Sequence, residues 1–358
     1  MKAGADAILG EDIDPAISWW LSTRCTALDL SINRGIPGGR VVEIFGPEGS
    51  GKNVLLYSLM REAQEKGGLA ILLASEPFSE GLAYNIMGIR KGNQFILKTC
   101  NEAEKIVKAL EYFIETARGS QVPVIIGVDS VACLQPKDDE NVDWEDTPQL
   151  AGMARIWTRF FQRDSITSMM GEPVFVVFLN QVRASNVGKA SKIGKSFTPP
   201  PVEDFATPGG WSLRHGYHVR IQLSRTAVIV DKDTGVTQGQ RIQAKVVKNK
   251  TGAFPRKVIY PFYNQLTYPV QGIDDGEACI EYLKTFKALM PWTNPETGKT
   301  PQGYFELDGF HGRESDFWHR FHTNEQFRKS IRTLVASAFF KHNGVPMEME
   351  STARLFEV

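Results

Sequence analysis

The nine residues "GPEGSGKNV" (46–54) follow a short apolar run, "RVVEIF" (40–45), and lead into "NVLLYSLMREAQEKG" (53–67), whose apolar residues recur at helical spacing. Strand, glycine-rich turn and helix in that order let successive backbone N–H groups point inward at one anion. The helix amino terminus adds positive potential, and Lys52 stands where a lysine reaches the outer phosphates of a nucleoside triphosphate. Gly46, Pro47, Glu48, Gly49, Ser50, Gly51 and Lys52 fit the spacing GxxxxGK of such loops. The plain alternative is a glycine-rich turn with a chance lysine, and the flanking strand and helix count against it. Asn53 departs from the pattern, because a Ser or Thr hydroxyl normally ligates Mg²⁺ at that point. An amide oxygen can serve, with a longer reach and poorer geometry. Nucleotide binding follows from this stretch, and the rate of hydrolysis is left open by it.

Working outward, "LAILLAS" (69–75), "VPVIIGVDS" (122–130) and "PVFVVFLNQ" (173–181) read as buried strands. "NEAEKIVKALEYFIETARG" (101–119) is amphipathic at helical period, and a further helix is expected from near Thr147 past Phe161. Apolar strands alternating with helices predict an α/β fold with a largely parallel central sheet flanked by helices. "YHVRIQLSR" (217–225) and "QRIQAKVVKNK" (240–250) alternate, and predict antiparallel strands extending that sheet. Residues 184–210 are rich in Gly, Pro, Ser and Lys with almost no apolar pattern, a length of loop that is usually functional or disordered. Beyond about Leu266 the composition changes again. The expected organisation is a short amino-terminal segment (1–24), a core (25–268), a small α/β carboxy-terminal domain (269–342) and a tail (343–358).

Composition excludes several classes. Lys plus Arg and Asp plus Glu both number 41, so no global field favours nucleic acid, and any such argument must rest on local patches. The four cysteines lie far apart without a zinc-type spacing and read as reduced thiols in a cytoplasmic protein. No apolar run reaches the roughly 18 residues that span a bilayer, and the amino terminus has no signal pattern.

Three further positions fit triphosphate chemistry. Asp129 ends a buried strand, where an acidic residue can hold the shell of a magnesium ion. Glu76 lies just past "LAILLAS" on the same sheet edge, where a carboxylate can orient an attacking water; a solvated loop carboxylate is the alternative. Asn180 and Gln181 end the next strand, where amides can sense a γ-phosphate or simply cap a turn.

Taken together, "GIPGGRVVEIFGPEGSGKN" (35–53), "ASEPFSEGLAYNIMGI" (74–89), "VIIGVDSVACLQPK" (124–137), "FLNQVR" (178–183), "TPGGWSLRHGYHVRIQL" (207–223) and "KVVKNKTGAFP" (245–255) resemble the bacterial RecA recombinases in order and spacing. The resemblance runs from about Ile8 to about Phe339 and includes the carboxy-terminal appendage. It implies a RecA-like P-loop ATPase core that uses ATP and Mg²⁺, with Lys52 and its loop on the phosphates. Asp129 and Asn53 would serve the metal, partly through water, Glu76 the attacking water, and Gln181 the γ-phosphate. Lys248 and Lys250 would reach the neighbouring protomer's ATP, Tyr263 would contact adenine from the next protomer, and Tyr84 lies one residue off the position that stacks on adenine.

Two loops would meet DNA. Residues 137–149 carry Trp144, in an acidic setting that equally suits a solvated loop. The second, residues 182–210, carries Arg183, Lys189, Lys192, Lys195 and Phe197 and ends at Gly209 and Gly210; cations track phosphates while an aromatic separates or stacks bases. Arg155, on the helix after the first loop, would meet a phosphate. The second loop is longer than the resemblance implies, and the amino-terminal segment shorter. A divergent, phage-encoded member would suit both. The implied function is an ATP-dependent homologous recombinase that forms filaments on single-stranded DNA and promotes pairing with double-stranded DNA and strand exchange. The competing reading is an ATP-binding DNA filament or recombination mediator with little hydrolysis, and a third is a motor or signalling ATPase without DNA.

Overall fold

In the computed structural model, which describes residues 17–137, 152–184, 205–208, 210–252, 257–265 and 269–342, the run before the glycine-rich turn forms β1 (Arg40–Gly46), buried along its whole length. It is followed by α1 (Lys52–Glu65), β2 (Leu69–Ala74), β3 (Phe95–Thr99), α2 (Ala103–Ala117), β4 (Val124–Asp129), α3 (Gly152–Phe161) and β5 (Val174–Gln181). Next come β6 (Val219–Val230), β7 (Thr237–Asn249), β8 (Lys257–Tyr263) and β9 (Gly272–Ile273). These nine strands form one sheet in the order β9-β8-β7-β6-β1-β5-β4-β2-β3. All neighbours from β6 to β3 are parallel, and those from β6 to β9 are antiparallel.

The pleat of β1 divides the core. Val42 and Ile44 pack with Leu56 and Leu59 of α1 on one face, while Val41 packs with Leu110 of α2 and Trp157 of α3 on the other. Both faces are covered, so the parallel strands read as continuous apolar runs. α2 buries Ala103, Ile106, Leu110, Ile114 and Ala117, a stripe at spacings of three and four.

Three expectations need correction. The strand containing "YHVRIQLSR" pairs antiparallel only with β7; on its other side it is parallel to β1, because it returns to the sheet by a crossover. β3, unmarked in the sequence reading, is an edge strand with little burial, so it lacks the apolar run that betrays its neighbours. Finally, residues 182–210 are not wholly without structure: Arg183–Ala184 pairs antiparallel with Phe205–Ala206, and a short helix, Gly210–Gly216, begins at the second glycine of the loop's end. Trp144, Lys189, Lys192, Lys195, Phe197 and Gly209 lie outside the described residues, as do the helix start near Thr147, the amino-terminal residues 1–16 and the tail 343–358.

The carboxy-terminal region consists of α4 (Asp275–Thr285), a three-stranded sheet (Met290–Pro291, Phe305–Leu307, Phe310–Gly312), α5 (Glu314–Thr323) and α6 (Glu325–His342). Its apolar residues Ala278, Phe317, Phe321, Ile331 and Val335 belong to the same cluster as Val42 and Leu56. A polar staple adds direction to this contact. Asp275 accepts from the Thr26 backbone N–H at 2.6 Å and hydroxyl at 2.8 Å, and from Arg332 Nε at 2.9 Å.

One charged residue interrupts the apolar centre. Glu43 in β1 is fully buried, with its lateral neighbour Arg220 of β6 donating from Nε to Oε2 at 2.6 Å. Asn180 of β5 donates from Nδ2 to Oε1 at 2.9 Å and to the Pro208 carbonyl at 3.0 Å. A buried carboxylate is tolerated only when so satisfied, and removing it strands the guanidinium in a dry interior. Glu43→Ala should therefore cost about 3–5 kcal/mol in chemical denaturation, whereas Glu281→Ala, which breaks a half-exposed pair with Lys284, should cost no more than about 1 kcal/mol.

Candidate nucleotide-binding and catalytic site

The carboxyl ends of β1, β5, β4 and β2 are adjacent, and each delivers a polar group to one place. In open α/β sheets this edge is where ligands bind, because the loops diverge there and the helix amino termini face it. After β1 the chain turns through Gly49 and Gly51, with φ of 68° and 91°, in the left-handed region that favours glycine. A Cβ on Gly51 would also fall 2.4 Å from Ile242 Cδ1, and one on Gly46 would fall 2.3 Å from the Leu223 carbonyl oxygen. The loop is thus held by β6 and β7 from below. Ser50 is buried within it, and its Oγ has no hydrogen-bond partner among the described residues.

Lys52, first residue of α1, folds over the loop and donates to the Gly46 and Pro47 carbonyls at 3.1 and 2.9 Å. Burial pushes its ammonium below the ordinary lysine range, and Asp129, Glu76 and Glu48 oppose the shift. A partly desolvated cation ringed by carbonyls suits a phosphate oxygen better than water does.

Asn53 points from the first turn of α1 to the end of β4, donating from Nδ2 to Asp129 Oδ2 at 2.8 Å. Burial, followed by the nearby Glu76 carboxylate, pushes Asp129 up to about 6, against the opposing effects of Asn53 and Lys52. A site that crowds two carboxylates gains from a cation between them. The donor set fits magnesium: one carboxylate and one amide that presents oxygen after a half-turn, both oxygen donors of the kind a hard cation takes. Among the described residues no group of three or more His, Cys, Asp or Glu side chains could hold a metal ion.

Glu76 follows β2, and its backbone N–H donates to the Asp129 carbonyl at 3.2 Å. Its Oε1 accepts from Gln181 Nε2 at 3.4 Å, from Cys133 Sγ at 3.3 Å and, in a short bond, from the Ser130 hydroxyl. Gln181 itself is exposed at the end of β5, with its backbone N–H held by Asn180 Oδ1 at 3.0 Å. The structure thus brings Lys52, Asn53, Asp129, Glu76 and Gln181 together. Ser130 and Cys133 were missed. Nothing in a one-dimensional pattern marks Cys133, while Ser130 could have been suspected from its place beside Asp129.

The remaining positions lie elsewhere. Tyr84 sits in a π-helical turn, Gly81–Ile86, beside Phe78 and Phe95 with ring centroids 5.5 and 6.1 Å away and Lys91 Nζ 4.2 Å over its ring. Tyr263 is buried and donates its hydroxyl to Glu277 Oε2 at 2.6 Å, so an adenine contact would require it to leave that partner. Lys248 Nζ donates to the Arg214 and His215 carbonyls at 2.6 and 3.2 Å, and Lys250 Nζ to the latter at 3.5 Å, at the end of the Gly210–Gly216 helix. Arg155 is exposed on α3, Arg183 begins the short strand after Gln181, and Gly210 opens the helix that follows the second loop.

Comparison with known proteins agrees with this fold. The family model described as the RecA N-terminal domain matches residues 3–264. Protein RecA of Mycoplasma mobile is 30% identical over 328 residues, covering 90% of this chain and 88% of the relative. Protein RecA of the Wolbachia of Brugia malayi is 30% identical over 341 residues, covering 94% and 86%, and that of Rickettsia africae 34% over 231 residues, covering 64% and 62%. The chain belongs to the RecA family of DNA-dependent ATPases, ATP- and DNA-binding proteins of recombination and repair.

Proposed function

We propose that this chain is an ATP-dependent homologous recombinase that polymerises on single-stranded DNA, pairs it with homologous duplex and exchanges strands. The observation that carries the reading is the meeting of Lys52, Asn53, Asp129, Glu76 and Gln181 at one sheet edge, with the second loop leaving directly from Gln181. The backbone of residues 46–52 and Lys52 hold the phosphates. Asp129 and Asn53 would hold magnesium, which when bound neutralises charge on the β- and γ-phosphates. Glu76 accepts a hydrogen bond from the attacking water and aims its lone pair at the γ-phosphorus. As the new P–O bond forms, the bond to the β–γ bridging oxygen breaks, ADP leaves, and the water's proton ends on the released phosphate.

Gln181 reads the γ-phosphate and transmits its presence to residues 182–210, whose Arg183, Lys189, Lys192 and Lys195 track DNA phosphates and whose Phe197 meets bases. Trp144 and Arg155 add contacts from the first loop and α3. Lys248 and Lys250 act on the ATP of the adjoining protomer, so the site is complete only within a filament, and Tyr263 lies along that seam. No helix among the described residues is long and apolar enough to cross a membrane.

Glu76→Gln should lower ATP turnover by about a hundredfold or more while leaving ATP affinity close to that of the wild type, and its filaments on single-stranded DNA should outlast wild-type ones. Steady-state hydrolysis and nucleotide titration check this; equal turnover would remove Glu76 from the reaction.

A second reading, an ATP-binding filament or mediator with little hydrolysis, is favoured by one observation: the residue after Lys52 is an asparagine, whose amide oxygen is a poorer magnesium ligand than a Ser or Thr hydroxyl. Asn53→Thr restores a hydroxyl at the metal position, and should raise turnover and lower several-fold the magnesium concentration that half-saturates it. Unchanged magnesium dependence would show that Asn53 is not a metal ligand.

A further inference from the structure

Glu76 is unusual in how it is held. Three donors converge on Oε1, from Ser130, Cys133 and Gln181, and among the described residues none donates to Oε2. Two of the three come from one small piece of backbone. β4 ends at Asp129, and the chain then makes a single 3-10 turn, Val131–Cys133, closed by Cys133 N–H donating to the Ser130 carbonyl at 3.3 Å. In a 3-10 turn, side chains three residues apart eclipse one another. Ser130 and Cys133 therefore face the same way, with Oγ and Sγ 3.8 Å apart, and both point at the carboxylate that leaves the neighbouring strand β2.

The backbone under this arrangement is fixed as well. The Ser75 and Glu76 N–H groups both donate to the Asp129 carbonyl, and Ser75 Oγ donates to the Ser130 carbonyl at 2.8 Å. Burial, and the adjacent Glu76 carboxylate, push the Cys133 thiol up, against the Ser130 hydrogen bond, so sulfur keeps its proton and remains a donor at neutral pH. Gln181 differs from the other two. It is an exposed, flexible side chain on another strand, and its bond at 3.4 Å is the longest of the three.

We propose that Cys133, with Ser130, is a positioning residue for the hydrolytic step: the two side chains pin Glu76 Oε1 so that Oε2 is the oxygen presented to the attacking water. The inference rests on the reading of Glu76 as the water-orienting group. A glutamate has freely rotating bonds between backbone and carboxylate, and an unpinned carboxylate would visit many orientations in which neither oxygen lies on the line of attack. Two donors on one rigid turn remove that freedom. Gln181 can leave Oε1 to follow a γ-phosphate without releasing the carboxylate.

The test uses the full-length protein on single-stranded DNA, with steady-state ATP hydrolysis, ATP affinity and thermal unfolding measured for each variant. Cys133→Ala should lower kcat about tenfold with KM for ATP and the unfolding midpoint nearly unchanged, as expected for a lost hydrogen bond to a charged group that acts in the transition state. Cys133→Ser keeps a donor at the same place and should recover most of that loss. Ser130→Ala should behave like Cys133→Ala, and the double alanine variant should fall towards Glu76→Gln. Wild-type kcat in Cys133→Ala and Ser130→Ala, alongside a disabled Glu76→Gln, would overturn the positioning role while leaving Glu76 in place. An equal loss in Cys133→Ala and Cys133→Ser would also overturn it, because the thiol would then matter for volume and not as a donor. A fully active Glu76→Gln would instead remove the reading on which the inference stands.

Discussion

The Glu43 carboxylate has no route to water, and its ionised form is tolerable in the sheet only because Arg220 and Asn180 satisfy both oxygens. Those two partners lie on the strands to either side of β1, so one charge fixes the lateral relation of β6, β1 and β5. The glycine-rich loop leaves from β1, Gln181 follows Asn180 in β5, and Pro208, at the far end of the second loop, is bonded to the same Asn180 amide. Anything that moves one of these elements must either move the others or break a buried ion pair. The phosphate loop, the position of Gln181 and the stem of the loop proposed to meet DNA are thus mechanically one piece. On the proposed reading, this is a physical route by which a nucleotide at the end of β5 would act on the loop that follows Gln181.

Around that fixed centre, groups differ in their freedom. Asp129, Ser130 and Cys133 are set by the end of β4 and its single turn, and Glu76 is tied to them through both backbone and side chain. Gln181, Lys52 and Lys248 are long side chains bonded to protein oxygens, and for the two lysines those are neutral backbone carbonyls, weaker partners than a phosphate. On the proposed roles, a site built this way would keep its carboxylate still while the groups that meet the ligand exchange partners. Asn53 sits on the boundary between these two sets, bonded to Asp129 through an amide that can turn its oxygen towards a cation.

Much of this was legible in the sequence, for local reasons. The loop of residues 46–52 needs its glycines, as Gly51 shows in its left-handed φ and its contact with Ile242. Asp129 and Gln181 stand where buried apolar runs stop, and strand ends are what such runs mark. What escaped is non-local. The parallel pairing of β6 with β1 depends on where a crossover returns, β3 is an exposed edge without an apolar signature, and Cys133 reaches Glu76 only because β2 and β4 are neighbours. Glu43 was in plain view as a charge inside "RVVEIF", yet its two partners lie 137 and 177 residues away along the chain. Tyr263, assigned to adenine only by the resemblance, donates its hydroxyl to Glu277, a partner that no linear pattern announces.

The central claim is that this sheet edge turns over ATP and that DNA governs the turnover through the loop after Gln181. It is tested most directly by measuring phosphate release from ATP by the purified protein with and without single-stranded DNA. The account predicts low release alone, and a many-fold rise when DNA is added that disappears in Lys52→Ala protein. Release that is negligible under both conditions, with ATP-dependent DNA binding intact, would contradict it and identify the protein as a filament-forming binder that does not use hydrolysis.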